Sequence, residues 1–397
     1  MQFSGIDVAS ERHTIASVDE QGKVLCKATT FEESSEGYAK LRALLGPPEG
    51  VLVAMEATGH YWQNLFAWLS AEGYAAVLLN PLRTNRFAGE DLRRGKTDEI
   101  DALTIARFAQ QKRPAPTTLP SEAVLELREL VRLRDRFVQD LGDRVRQLHR
   151  TVDLAFPEFT SLVRELSSEL ATALLSRWPT ASAFREAKVR QIAAVRYDGR
   201  HLVGDDLAGQ LVEAAGRSVG RHHGAAYRAQ AKYACEDIDT LRDRIRVVER
   251  DISQNIDKHD LGRLYMSIGG IGEATAARLV AELGDDIVGR FRDGDALCAH
   301  VGVVPGLRQS GKSKPSHAPL CPIGHAKLRA KLWMPTLAAI RHNIWVRTFY
   351  ERLIAGGKPR KLAVTACLRK LLLAVYAVAK SRQPFIPRLP AAQEVPA

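Results

Sequence analysis

The chain has 397 residues, of which 45% are hydrophobic and 26% charged, a composition typical of a globular protein of two or three domains rather than a disordered one. Arg369 and Lys370 interrupt the most apolar late stretch, so no membrane span is predicted. The five cysteines are scattered without a CxxC pair, which favours neither a disulfide framework nor a zinc ribbon and fits a reducing cytoplasm.

The formal net charge of +11 is concentrated near the C-terminal end. Residues 300–397 contain 17 Lys or Arg and only two acidic residues, whereas the rest of the chain is slightly acidic. A basic region of this kind is expected to contact the phosphate backbone of a nucleic acid. A solvated basic surface explains the composition alone equally well.

Residues 1–112 predict an α/β domain. Three short strands form a β-meander, and two further strands alternate with helices. The expected strands are Gln2 to Val8, His13 to Val18, Lys23 to Thr29, Val51 to Glu56 and Ala75 to Leu79. The expected helices are Ser35 to Leu45, about Tyr61 to Ser70 and Asp98 to about Gln110, with a basic loop from Arg83 to Lys96. The order β-β-β-α-β-α-β-α is that of an RNase H-like domain, in which the first and fourth strands are adjacent.

Residues 113–260 predict a helical region, which begins after a break at Pro114 and Pro116. Apolar residues recur at spacings of three and four over residues 127–152 and again over residues 238–256, as in long amphipathic helices. The two helices either pair as an antiparallel coiled coil with residues 157–233 inserted, or belong to an ordinary bundle. Both alternatives give an all-α central region.

Residues 261–397 predict a mainly α-helical C-terminal domain. A turn containing Gly270 and Gly272 opens onto a helix of small residues and resembles a helix-hairpin-helix element, whose amides can face a phosphate. A loop rich in Gly, Ser and Lys spans residues 306–319. Helices are expected over residues 326–340 and 363–379.

Four carboxylates are candidate metal ligands. Asp7 lies in a strand of apolar neighbours, where a carboxylate needs a cation or hydrogen-bond donors, and Glu56 ends the adjacent strand. Asp98 and Asp101 project from one face of a helix start. Oxygen ligands select Mg²⁺ or Mn²⁺, and two such ions about 3.5–4 Å apart would activate a nucleophile and stabilise the leaving oxygen of a phosphodiester. The alternatives are a capping role for Asp98, solvation of Asp101 and pairing of Glu56 with an arginine.

Several short motifs resemble those of the DEDD-type transposases of insertion sequences, whose N-terminal domain is similar to the Holliday-junction nuclease RuvC. The N-terminal motifs are Gly5-Ile6-Asp7-Val8-Ala9, Met55-Glu56-Ala57-Thr58-Gly59 and Lys96-Thr97-Asp98-Glu99-Ile100-Asp101-Ala102. The C-terminal motifs are Ala299-His300-Val301-Gly302-Val303-Val304-Pro305, Gln309-Ser310-Gly311-Lys312 and Gly324-His325-Ala326-Lys327-Leu328-Arg329. The resemblance covers both ends of the chain, and the central helical region matches only weakly.

The resemblance implies an RNA-guided recombinase, in which a noncoding bridge RNA pairs with donor and target DNA. It also implies that Ser310 is a nucleophile that forms a phosphoserine link with DNA while the DEDD-bound Mg²⁺ or Mn²⁺ polarises the phosphate. Family members often carry two serines before the glycine and a Ser-Lys pair where Cys321-Pro322 stands here, so Ser313 and Ser316 stay open as alternative nucleophiles. A composite site between protomers implies a homo-oligomer, either a dimer or a tetramer.

Residues expected to contact the nucleic-acid backbone are Arg83, Arg86, Arg93, Arg94, Lys96, Gly270, Gly272, Lys312, Lys314, Lys327 and Arg329. Such contacts make binding depend strongly on salt. Three other functions stay open: a structure-selective endonuclease that uses metal-activated water, an actin-like kinase or ATPase that shares the opening strand pattern, and an inert nucleic-acid scaffold. If a guide RNA supplies the base pairing, target choice is not encoded in this sequence.

Overall fold

The computed structural model describes residues 1–90, 97–304, 320 and 323–387, and the chain divides into two compact units. The first unit is Met1–Leu119, and the second begins at Pro120. Each unit has its own hydrophobic clusters of buried side chains. The three predicted domain ranges stay a prediction.

The first unit contains a mixed five-stranded sheet with the order β3-β2-β1-β4-β5. Its strands are β1 (Gln2–Asp7), β2 (Arg12–Val18), β3 (Val24–Glu32), β4 (Val51–Glu56) and β5 (Ala75–Leu79). The first three strands pair antiparallel, whereas β1, β4 and β5 run parallel. The predicted meander and the predicted neighbourhood of the first and fourth strands are therefore confirmed.

The first unit has helices on both faces of this sheet. They are α1 (Ser35–Leu45), α2 (Trp62–Ala71), α3 (Pro81–Glu90) and α4 (Asp98–Lys112). Apolar residues of α1 and α2 share one cluster with Ile6 and Met55, and those of α4 share another with Phe3 and Ala54. Because strand side chains alternate between faces, the odd positions of β1 and the even positions of β4 face α4.

The helix α3 corrects the predicted basic loop from Arg83 to Lys96. The Asn80 side chain accepts a hydrogen bond of 2.9 Å from the Leu82 amide and so caps the helix start. Pro81 follows in the first turn, where a missing amide proton costs nothing. The remainder of the predicted loop, residues 91–96, lies outside the described residues.

Contact between α4 and β1 depends on the absence of a side chain at Gly5. A Cβ atom there would lie 2.3 Å from both the Ala102 carbonyl oxygen and the Ala106 amide nitrogen. Glycine therefore lets the helix backbone lie directly on the strand. Directly after α4, the Arg113 guanidinium lies 5.7 Å from the centre of the Phe3 ring. The helix thus runs opposite to β1, and its first turn lies towards the carboxyl end of that strand.

The second unit is built on two long helices, α5 (Glu122–Ala155) and α11 (Ala225–Ile256). Arg134 pairs with Glu249 at 2.6 Å and Arg144 pairs with Asp237 at 3.1 Å. A later position in α5 thus meets an earlier one in α11, so the helices are antiparallel, as one of the two predicted arrangements requires.

The prediction that the segment between the two long helices is all helical is wrong, because the segment also contains two short strands. It contains α6 (Phe159–Leu162), α7 (Glu169–Leu175), α8 (Ala181–Glu186), α9 (Val189–Ala193), β6 (Arg196–Tyr197), β7 (His201–Leu202) and α10 (Asp205–Gly216). The strands β6 and β7 form an antiparallel hairpin. Asp198 and Gly199 turn it with positive φ angles of 49° and 73°, and Asp-Gly is a preferred pair for such a tight turn.

The rest of the second unit is helical in the described residues. Its helices are α12 (Asp260–Met266), α13 (Glu273–Leu283), α14 (Ile287–Arg290), α15 (Gly294–Val301), α16 (Ala326–Lys331), α17 (Trp333–His342), α18 (Ile344–Ala355) and α19 (Arg360–Ser381). The single helix predicted over residues 326–340 is divided at Leu332, whose amide bonds to Leu328 and Ala330 carbonyls in a tightened last turn.

The helix α19 is long and apolar enough to cross a membrane, with a mean hydropathy of 1.8 over its most apolar stretch. However, 61% of that stretch is buried inside the protein, and Cys367, Leu368 and Val375 belong to the main cluster of the second unit. Its apolar character is therefore accounted for by packing against other helices.

Asp135 joins three helices of the second unit. Its carboxylate accepts two hydrogen bonds of 2.7 Å from Arg278 of α13 and one of 3.0 Å from Lys331 of α16. Burial alone would raise the pKa of Asp135, but these two cations hold it below its ordinary value. Arg278 is only 12% exposed, so the paired charges are partly shielded from water.

Replacing Asp135 with asparagine removes the charge from these bonds. We expect Asp135→Asn to lower the free energy of unfolding by about 2–3 kcal/mol at pH 7, the usual scale for hydrogen bonds to charged groups. Because the folded-state pKa is lowered, this stability is present above the unfolded-state pKa and is lost as the pH falls through the folded value. Urea unfolding should therefore show a smaller difference between variant and parent at pH 3 than at pH 7.

Asp243→Asn is the matched control, because Asp243 and its partner Arg246 are 73% and 57% exposed. This exposed pair should contribute less than about 1 kcal/mol. Equal effects of the two substitutions at pH 7 would contradict the role given to Asp135.

The Gly5 contact gives a second prediction. We expect Gly5→Ala to lower the free energy of unfolding of the first unit by about 1–3 kcal/mol, because the new Cβ would meet backbone atoms that cannot rotate away. Gly89→Ala, in α3, is the control, since a Cβ there would meet nothing within 4 Å. A Gly5→Ala protein that unfolds thermally like the parent would show that α4 does not need this close approach.

Candidate active site

Two of the four candidate carboxylates end adjacent parallel strands. β1 ends at Asp7 and β4 ends at Glu56, and the preceding residues Ile6 and Met55 are paired in the sheet. Both acidic residues are half-buried. By the alternation of the strands, both side chains belong to the face that α4 covers.

The other two carboxylates lie in the first turn of α4. The Thr97 side chain caps this helix by accepting a hydrogen bond of 3.3 Å from the Ile100 amide. The alternative in which Asp98 caps the helix is therefore wrong. Asp98 is exposed and Asp101 is half-buried. Since Ala102 packs on Gly5, the turn that contains Asp101 lies beside the end of β1.

The chemistry and placement of these four carboxylates fit a hard divalent cation. All donors are carboxylate oxygens, as Mg²⁺ and Mn²⁺ prefer, and they come from one end of one sheet face. Among the described residues, no group of three or more His, Cys, Asp or Glu side chains lies close enough together to hold a metal ion. A bound cation would offset the repulsion between like charges that converge at this end of the sheet.

Thr84 is a residue of this site that sequence reasoning missed. It lies in α3 and is only 2% exposed, and its hydroxyl donates a hydrogen bond to Oε1 of Glu56. The alternative in which an arginine pairs with Glu56 stays a prediction, since Arg93 and Arg94 lie outside the described residues, and the contact that the structure describes is with a threonine. The Asn80-Pro81 pair was the available signal, because it starts the helix that brings Thr84 to the sheet.

The predicted backbone-binding residues of the first unit are only partly described. Arg83 and Arg86 are exposed on α3, and the Arg83 guanidinium lies 5.4 Å from the centre of the Phe108 ring. Arg93, Arg94 and Lys96 lie outside the described residues.

The predicted glycine-rich turn joins α12 to α13. Gly270 has a φ of 100°, and a Cβ there would lie 2.5 Å from the Ala339 Cβ. The backbone conformation and the close packing therefore explain why residue 270 is a glycine. Gly272 caps α13 and is exposed, with nothing within 4 Å of a Cβ position. Of these two glycines, Gly272 is therefore the one with open space in which a phosphate could approach the backbone.

Lys327 and Arg329 of α16 differ in their surroundings. Lys327 is exposed, whereas Arg329 is half-buried and donates hydrogen bonds of 3.0 and 3.3 Å to the Val301 and Gly302 carbonyls. Arg329 therefore holds the end of α15 in place, which accounts for it without a nucleic-acid contact.

His325 links α16 to α13. Its Nδ1 accepts a hydrogen bond of 3.1 Å from the Leu328 amide, and its Nε2 lies 3.3 Å from Oε2 of Glu282. Burial alone would raise the pKa of Glu282, but His325 and two nearby arginines lower it. Burial and Arg290 lower the pKa of the neighbouring His300 to about 4. His300 is thus neutral at pH 7.

The predicted nucleophile Ser310 lies outside the described residues. The same is true of the alternatives Ser313 and Ser316, of the predicted backbone contacts Lys312 and Lys314, and of Cys321-Pro322. Their roles stay predictions.

Family models match both ends of the chain. A model described as a transposase, of the DEDD type of IS110, matches residues 4–157. A second model, described as the transposase IS116/IS110/IS902 family, matches residues 262–351. All four candidate carboxylates fall in the first match, and Ser310 falls in the second.

Curated relatives match along nearly the whole chain. The chain is 26% identical over 399 residues to the insertion element IS116 uncharacterized 44.8 kDa protein of Streptomyces clavuligerus, covering 98% of this chain and 97% of that protein. It is 25% identical over 407 residues to the insertion element IS110 uncharacterized 43.6 kDa protein of Streptomyces coelicolor, covering 100% and 98%. It is 21% identical over 396 residues to the pilin gene-inverting protein of Moraxella bovis, covering 98% of each. The chain belongs to the IS116/IS110/IS902 family of transposases and acts on DNA.

Proposed function

We propose that this transposase is a recombinase that cleaves and rejoins DNA through a serine-linked intermediate, assisted by divalent cations bound to Asp7, Glu56, Asp98 and Asp101. The observation that carries the proposal is the placement of carboxylates from β1, β4 and the first turn of α4 at one end of one sheet face. The antiparallel order β3-β2-β1 followed by parallel β4 and β5 supports an RNase H-like, RuvC-like fold for this unit.

The four carboxylates would bind Mg²⁺ or Mn²⁺, which supplies a Lewis acid at the reacting phosphate. Their own task is to hold that charge in place. Asp7 and Glu56 stand on strands inside the sheet, and the contact at Gly5 fixes the helix that bears Asp98 and Asp101. Rigid elements suit this task, because loosely held carboxylates would bind the cation more weakly and position it less accurately.

Ser310 is the proposed nucleophile. Its Oγ would bond to phosphorus while the bond from phosphorus to one deoxyribose oxygen breaks, and that oxygen takes up a proton as the serine loses one. Attack by a deoxyribose hydroxyl of another strand then reverses the step, releases Ser310 and rejoins the DNA. The phosphoserine link conserves the energy of the phosphodiester bond that is broken, so rejoining needs no further cofactor. Support comes from the position of Ser310 in the Gln309-Ser310-Gly311-Lys312 motif.

A noncoding bridge RNA is the proposed guide, pairing with donor and target DNA. Support comes from the family resemblance and from the basic excess of residues 300–397, which suits nucleic-acid backbones. The relative named for inverting a pilin gene supports rearrangement of DNA at defined sites. The carboxylates and Ser310 belong to different units of the chain, which supports a composite site in a homo-oligomer, either a dimer or a tetramer.

The acidic centre is tested by removing charges one at a time. We expect Asp7→Asn and Glu56→Gln to lower DNA strand cleavage by about 1000-fold, because a metal Lewis acid supplies several kcal/mol and each tenfold corresponds to about 1.4 kcal/mol. Glu99→Gln is the matched control, since Glu99 is an exposed acid in the same turn of α4. Parent-like cleavage by Asp7→Asn would contradict the catalytic role given to this carboxylate, whereas an inert nucleic-acid scaffold predicts that the purified parent does not cleave DNA at all.

The covalent step is tested by trapping. We expect the parent protein with its cognate DNA and RNA to give a DNA adduct that survives denaturation, and Ser310→Ala to abolish it because no other atom takes its place. Ser313→Ala and Ser316→Ala should retain the adduct.

The competing function is an endonuclease that uses metal-activated water. It predicts cleavage without an adduct and Ser310→Ala activity equal to that of the parent. Loss of the adduct in Ser313→Ala or Ser316→Ala, with Ser310→Ala unaffected, would move the nucleophile to that serine.

A further inference from the structure

The helix α3 places a buried hydroxyl group against one carboxylate of the proposed metal site. Thr84 is 2% exposed, and its Oγ1 donates to Oε1 of Glu56. The same hydroxyl lies 3.0 Å from the Pro81 carbonyl oxygen of its own helix. A hydroxyl has a single proton, and a hydrogen bond to an ionised carboxylate is roughly twice as strong as one to a neutral carbonyl. The bond to Glu56 is therefore the favoured one.

The position of Thr84 is fixed by packing between α3 and α4. The Phe87 and Phe108 rings meet edge to face with centroids 5.4 Å apart. Arg83 lies over the Phe108 ring from the same side of α3, and Lys112 lies 5.9 Å from the centre of the Phe87 ring. Because α4 also carries Asp98 and Asp101, the hydroxyl and these two carboxylates are attached to one packed pair of helices.

Glu56 stands on the sheet, so its bond to Thr84 connects the sheet ligand to the helix pair. A glutamate side chain has three rotatable bonds, and an unrestrained carboxylate would sample many orientations. The Thr84 bond engages Oε1 and leaves Oε2 for another partner. Partners of this kind orient ligands in metal sites and raise their affinity for the ion.

We propose that Thr84 is a positioning residue, which holds the Glu56 carboxylate in the orientation that binds the divalent cation. This inference rests on the proposed metal site and adds to it a residue that is neither acidic nor a ligand. It also assigns a function to α3, which delivers the hydroxyl to the end of β4.

The test measures binding of Mn²⁺ to the full-length protein without nucleic acid, by calorimetry or by the electron paramagnetic resonance of free Mn²⁺. Thr84→Val keeps the shape of the side chain and removes the hydroxyl. We expect its Mn²⁺ affinity to fall by about 10–100-fold, the usual effect of removing a hydrogen-bond partner of a metal ligand. Thr84→Ser restores the hydroxyl and should restore the affinity.

Thermal unfolding in EDTA separates positioning from folding. Thr84→Val lacks the bond to Glu56 with or without metal, so it is expected to be somewhat less stable than the parent there, and Mn²⁺ affinities are compared at a temperature at which both proteins are folded. If Thr84→Val does not fold, Thr84→Ala is compared with Thr84→Ser in the same way, and a lower Mn²⁺ affinity of folded Thr84→Ala supports positioning. Thr84→Val with parent affinity overturns the inference, as does Thr84→Ser with the affinity of Thr84→Val.

Glu56→Gln distinguishes the failure of this inference from the failure of the proposed metal site. If Glu56→Gln loses Mn²⁺ affinity and Thr84→Val does not, only the role of Thr84 is wrong. If the parent binds no Mn²⁺, or Glu56→Gln binds it like the parent, the metal site at Glu56 is wrong and the role of Thr84 with it.

Discussion

The first unit depends on the direct contact between the backbones of α4 and β1 at Gly5. Any side chain there would meet the carbonyl oxygen of Ala102 and the amide nitrogen of Ala106. The contact sets both the height of α4 along the strand and the distance between helix and sheet. Because Asp7 is two residues after Gly5 and Asp101 is one residue before Ala102, the same contact decides how close the sheet and helix carboxylates can come.

This constraint explains why acidic residues can be tolerated at the end of a well-packed sheet. Asp7 and Glu56 are half-buried, whereas their strand neighbours Phe3 and Ala54 are fully buried on the same face. The apolar cluster thus stops where the carboxylates begin, and α4 presents its acidic first turn at that border. A carboxylate with access to solvent and to an ion costs far less than one enclosed by apolar side chains.

The parallel strands of the first unit could be predicted from the sequence because β4 and β5 are nearly continuous apolar runs with clear ends. The predicted limits of β4 and β5 agree with the structure at both ends. The basic composition of residues 83–96 concealed α3, since charge indicates exposure and not the absence of a helix. Thr84 could not be assigned for the same reason. Its function depends on a contact between residues 28 positions apart, which no local pattern encodes.

In the second unit, sequence periodicity identified the long helices but not what separates them. The Asp198-Gly199 pair is a recognisable hairpin signal, yet the strands β6 and β7 have two residues each and carry no alternation. For the region around Ser310, the sequence predicts more than the structure describes. Its motif predicts a chemical role, but residues 305–319 lie outside the described residues, so the surroundings of Ser310 stay a prediction.

Basic charge in the last quarter of the chain does not translate directly into phosphate contacts. Arg329 binds two carbonyl groups, Lys331 pairs with Asp135, and Arg369 pairs with Asp295 at 2.7 Å. Lys370 lies 3.8 Å from the centre of the Trp345 ring. Cations held in this way stabilise the helical unit, and drawing them away to a phosphate would break those contacts. The number of phosphates neutralised, and with it the salt dependence of binding, should therefore be smaller than the count of Lys and Arg suggests. Exposed side chains such as Lys327 are better placed for such contacts than Arg329.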